Sequence, residues 1–101
     1  HVDKAPDGIT IAELYKNRND YANKTVIIRG QVVKINNGII NRNWVHLKDG
    51  TSEDGKSDLT FTTQAEVNVG DIVTFEGVVA LDKEYGKCYV YRLVVENASI
   101  K

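Results

Sequence analysis

The chain is poor in the residues that most often build reactive centres. Its 101 residues include one cysteine (Cys88), one tryptophan (Trp44), one proline (Pro6), two histidines (His1 and His46) and no methionine. A lone cysteine excludes an internal disulfide and a cysteine-based metal cage. In a β-rich stretch it is expected to be a small buried residue. Two histidines, one of them at position 1, exclude a histidine-based metal triad. No apolar run approaches the roughly 18 residues that a membrane-spanning helix needs. There is no glycine-rich phosphate loop and no dinucleotide fingerprint. Ser52, Ser57 and Ser99 have no sequence context that would activate them, and the acids fall in loops rather than around a cleft. The expectation is a protein that is not an enzyme and needs no cofactor or metal. A start at His1 without methionine suggests a processed or trimmed product, so an export signal upstream is one reading.

What remains is the composition of one ordinary globular domain, 42% hydrophobic and 27% charged, without repeats or linkers. The formal charge of −1 is a weak footprint for nucleic acid, but its distribution is uneven. Residues 24–48 hold Lys24, Arg29, Lys34, Arg42 and Lys48 with no acid, whereas residues 49–82 hold eight acids and only Lys56. Such a dipolar surface can orient a charged partner, or both sets can be solvated faces.

Residues 1–8 read as a mobile lead-in. Thr10-Ile11-Ala12-Glu13 is a capping box, and Ile11, Leu14, Tyr15 and Tyr21 recur near helical spacing, predicting one amphipathic helix over 10–22. A strand over 24–36 carries Gly30 at an expected bend. Asn36-Asn37-Gly38 signals the following turn, and Ile39-Ile40 forms a cover or lip beside it. Strands over 43–49, 58–63, 72–81 and 88–98 complete a set of five, with a polar loop at 51–57 and a hairpin at 82–87. The acids Asp49, Glu53, Asp54 and Asp58 invite a calcium reading, yet no glycine stands where an EF-hand loop requires it.

Strand alternation places Val45 and Leu47 on one face, with Trp44, His46 and Lys48 on the other. The same argument buries Leu59 and Phe61 and exposes Thr60 and Thr62. On the first strand, Val26, Ile28, Gly30 and Val32 oppose Ile27, Arg29, Gln31 and Val33. Both faces of the last strand are apolar, which leaves its inward face open.

Lys-Thr-Val-Ile-Ile-Arg-Gly-Gln-Val, Trp-Val-His-Leu-Lys-Asp-Gly and Gly-Asp-Ile-Val-Thr-Phe-Glu-Gly-Val-Val together resemble the OB-fold, in particular the anticodon-binding domain of aspartyl- and asparaginyl-tRNA synthetases. With the Thr-Ile-Ala-Glu-Leu-Tyr helix, residues 9–100 are similar to small exported bacterial OB-fold proteins described as nucleic-acid-binding proteins or lipoproteins. The resemblance implies an all-β, five-stranded OB-fold barrel (24–98) with an N-terminal amphipathic helix. It also implies Trp44 as a base-stacking aromatic, Arg29 and Gln31 as base or phosphate contacts, and Lys48 as a backbone contact. His46, Thr60 and Thr62 complete the face.

Two functions follow as expectations. One is a module binding single-stranded DNA or RNA through Arg29, Gln31, Trp44, His46, Lys48, Thr60 and Thr62. The other is an exported, periplasmic or lipid-anchored envelope domain that meets a protein or glycan partner through the same face. Trp44 can alternatively pack under Ile39-Ile40, His46 can be a partly exposed strand residue, and Arg29 can pair with Glu76.

Overall fold

The computed structural model describes residues 1–86 and 89–101, so the expectation for Cys88 lies outside the described residues. Two short helices, α1 (Ile11–Lys16) and α2 (Arg18–Tyr21), precede five strands: β1 (Thr25–Ile39), β2 (Arg42–Glu53), β3 (Lys56–Thr63), β4 (Ile72–Glu84) and β5 (Val90–Ile100). The sheet runs β1-β2-β3-β5-β4 and returns to β1, closing into a barrel-like ring. Every pairing is antiparallel except β3 with β5.

Period-2 alternation fills the ring. Val26, Ile28 and Val32 of β1 meet Val45 and Leu47 of β2, Leu59 and Phe61 of β3, Phe75 and Val79 of β4, and Leu93, Val95 and Ala98 of β5. Phe61 and Phe75 pack with ring centres 5.2 Å apart. The inward face of β5 is thus Leu93 and Val95, while Val94 is buried outside this main cluster. Gly77 is a packing requirement, since a Cβ there would lie 2.7 Å from Val95 Cγ1. Gly30 sits under β2 in the same way, 3.0 Å from Lys48 O. The irregularity in β1 comes later, between Val32 and Lys34.

Ile11 and Leu14 plug one end of the ring, and the capping box at Thr10 and Glu13 forms in full. The helix is not continuous over 10–22. It breaks at Asn17, whose side-chain amide and backbone N–H both donate to Glu13 O. Asparagine offers the backbone such local alternatives, which is why it favours helix ends.

The N-terminal segment expected to be mobile makes specific bonds. Val2 N donates to Asp49 O, Gly8 N donates to Ala5 O, and Ala5 is buried.

The hairpins are tighter than predicted. β1 runs through Asn36-Asn37-Gly38, and the turn falls instead on Ile40-Asn41, with φ of 54 and 61. The loop at 51–57 reduces to a two-residue turn, Asp54-Gly55, with φ of 51 and 75. Left-handed pairs of this kind match strand twist. Among the described residues no group of three or more histidines, cysteines or acids is placed to hold a metal ion.

Candidate functional site

Register fixes the outer face of β1–β3 as three rows. Gln31, Lys48 and Asp58 form one, Lys34, His46 and Thr60 the next, and Asn36, Trp44 and Thr62 the third. Arg29 lies one step beyond, paired in register with Thr74 of β4. The structure therefore brings Gln31, His46, Lys48, Trp44, Thr60 and Thr62 onto one surface, with Arg29 at its margin.

Their exposure divides them. Gln31 and Lys48 are exposed, with Gln31 Nε2 donating to Gly70 O at 3.3 Å. Half-buried Arg29 donates through Nε to Thr74 Oγ1 at 3.0 Å. The alternative pairing of Arg29 with Glu76 is not formed, because Glu76 sits opposite Ile27 and meets Lys101 at 3.7 Å. His46 is mostly buried and its Nδ1 lies 3.1 Å from Asp58 Oδ2 and 3.4 Å from Thr60 Oγ1.

Trp44, Thr60 and Thr62 were expected to stand exposed and are instead buried, Trp44 at 0% exposure. The cause for Trp44 is the β4–β5 hairpin. The Tyr91 ring stacks on the indole at 5.4 Å and 17°, Tyr85 meets it edge-on at 5.0 Å, and Tyr89 lies tilted at 5.3 Å. The indole N–H donates to Ile39 O at 2.9 Å, satisfying its one donor. Trp44 thus packs beside Ile39, the alternative the residues left open. Thr62 Oγ1 accepts the Asn97 N–H, which turns that side chain into a tie between β3 and β5.

Sequence reasoning missed the residues that make this cover. Arg42 stacks over Tyr85 with its guanidinium carbon 5.1 Å from the ring centre, and the Tyr85 hydroxyl donates to Glu96. Burial first, and then that bond to a carboxylate, push the Tyr85 phenol well above its ordinary range. Burial and then the nearby Tyr89 move Tyr91 the same way. The alternating Tyr89 and Tyr91 were the available signal, but nothing local says which strand their rings will meet.

The charges sort by neighbourhood. His46–Asp58, Lys83–Glu96, Lys101–Glu76, Lys4–Glu13 and His1–Asp3 are the ion pairs among the described residues. None of Lys24, Arg29, Lys34, Arg42 and Lys48 has a carboxylate within 4.0 Å among the described residues.

No protein-family model, no curated protein and no solved structure matches the chain.

Proposed function

We propose that this chain is an OB-fold binding module that takes up single-stranded nucleic acid on the outer face of β1–β3 and catalyses no reaction. The closed five-strand order supports the fold reading, because the OB-fold is a five-stranded barrel; OB-folds bind on the face of strands 2 and 3 and the loops between strands 1–2 and 4–5. The observation that carries the ligand reading is that Lys34 and Lys48, the exposed cations of this face, have no carboxylate within 4.0 Å among the described residues. Cations not committed to internal pairs are available to phosphates, and releasing condensed counterions drives such binding. Gln31 beside Lys48 adds an amide able to read a base edge.

Stacking of a base on Trp44 requires the tyrosines of the β4–β5 hairpin to move aside. A base stacked on an aromatic side chain contributes about 1–3 kcal/mol, which is the scale available to displace them.

The test is a fluorescence-anisotropy titration with labelled single-stranded DNA and RNA at two salt concentrations. Lys34→Gln and Lys48→Gln are run alongside, because truncating the buried Trp44 would also unfold the protein. Binding that weakens with salt and with each lysine change is expected. Absent binding at low salt, or binding indifferent to both lysines, rejects the reading and favours a protein or glycan partner in the cell envelope.

A further inference from the structure

Around the rim from that face, a cleft of about 490 Å³ opens between the β1–β2 turn, the end of β3 and the end of β5. We propose that this cleft is a separate binding site for a small molecule bearing one oxyanion, a carboxylate or phosphate ester, on a hydroxyl-rich body. The inference does not rest on the nucleic-acid reading.

The volume falls within the range of small-ligand sites. Among the described residues Arg42 is the one charged residue in the lining, and no acid contributes to it. Its guanidinium is held in place rather than free. Nε donates to Ile40 O at 3.0 Å, and the group lies on the Tyr85 ring, itself anchored by Glu96. The remaining guanidinium N–H groups have no acceptor among the described residues, and a planar fork of that kind suits two-point contact with an oxyanion. The neighbouring Glu96 carboxylate is occupied by the Tyr85 hydroxyl and by Lys83 at 3.6 Å.

The walls are fixed while the rim is free. Thr63 Oγ1 donates to Ala98 O at 2.6 Å and accepts from Ala65 N, and Gln64 Nε2 donates to Asn41 O at 2.9 Å. The exposed side chains of Asn97 and Ser99 carry no hydrogen bond to another protein group among the described residues. They offer an amide and a hydroxyl to the ligand's polar groups.

Asn41 and Asn97 of the lining hold left-handed φ values, 61 and 53, which asparagine tolerates.

The probes are uridine 5′-monophosphate and glucuronate, with uridine and glucose as their uncharged counterparts, titrated into the isotope-labelled chain and followed by amide NMR shifts. The expected result is saturable movement of the amides of Asn41, Arg42 and residues 97–100 with at least one anion and not with its uncharged counterpart. Response to the nucleotide alone identifies a phosphate ester as the preferred source, and response to the uronate alone a carboxylate. Arg42→Gln is expected to weaken binding by about tenfold or more. Asn97→Asp keeps a residue that tolerates left-handed φ and places a carboxylate at the rim, so it should weaken the anion equally while the rest of the spectrum is unchanged. Lys56→Gln, exposed at the end of β3 remote from the cleft, should leave binding as it is. No saturable shift at millimolar probe, equal shifts with the uncharged counterparts, or full affinity in both Arg42→Gln and Asn97→Asp overturns the proposal.

Discussion

A carboxylate buried to 1% exposure, Asp49, joins the helix to the ring. Oδ2 accepts the Ile11 N–H at 2.9 Å, and Oδ1 accepts both the N–H and the hydroxyl of Thr51, whose oxygen in turn accepts the Ala12 N–H. With Thr10 taking the Glu13 N–H, the first three helical donors of α1 are satisfied, two of them by side chains of β2. Replacing Asp49 by Ala strands buried donors and is expected to cost about 2–3 kcal/mol, against about 1 kcal/mol for Thr10→Ala. Thermal unfolding checks this: at about 4–8 °C per kcal/mol for a domain of this size, Asp49→Ala should melt well below Thr10→Ala. Equal melting points would show that the strand-to-helix bond adds nothing to the local cap. The Thr10–Glu13 box was legible because its partners are three residues apart. Asp49 read only as one acid among several, because its partner lies 38 positions away in the chain.

The β4–β5 hairpin is the element whose role the residues concealed. Among the described residues, those of β4 beyond Val79 and up to Glu84 find ladder partners only in Val90–Val94 of β5. This ribbon therefore lies on Trp44 through side chains, chiefly the rings of Tyr85, Tyr89 and Tyr91. The turn chemistry beside it was misread for a related reason. Asn36-Asn37-Gly38 has the residues of a turn, yet β1 continues past them through an irregular pairing, and the strained Ile40-Asn41 turn sets the register that places Trp44 next to Ile39 O. Tertiary contact outweighed the local preference. The titration of Tyr85 gives a handle on the ribbon. Its phenol is held neutral above the ordinary value of 10.0, by burial and by Glu96, and the nearby Arg42 opposes this but is outweighed. A raised folded-state value means the stabilisation is complete below pH 10 and is lost as the pH climbs past it. Trp44 is the sole tryptophan, so its emission should shift to the red as the ribbon lifts in alkali. Tyr85→Phe should move that transition to higher pH. An unchanged transition in the variant would place the ribbon's hold elsewhere.

At the scale of the whole molecule, the ring and its charge pattern were both legible, and the reachable part of the face was not. Val26, Ile28, Val45, Leu47, Leu59 and Phe61 announce their burial by alternation, and all six enter the core. Alternation says equally that Trp44, Thr60 and Thr62 point away from that core, but it cannot say that another part of the same chain will cover them. The exposed remainder, Gln31, Lys34 and Lys48, lies within the longest acid-free stretch of the chain. Its contribution to binding is measurable without reference to Trp44. For a single strand, the logarithm of the binding constant falls with the logarithm of salt by about 0.7 per phosphate neutralised. Lys34 and Lys48 each replaced by Gln should therefore lower that slope by roughly 0.7, and the double change by roughly twice that, with the effects adding because neither lysine shares an internal carboxylate among the described residues. Lys83→Gln is the informative control: its ammonium already faces Glu96 at 3.6 Å, so the slope should not move. A slope that drops as much for Lys83 as for Lys34 would mean that the strand follows the molecule's overall charge and not the β1–β3 face.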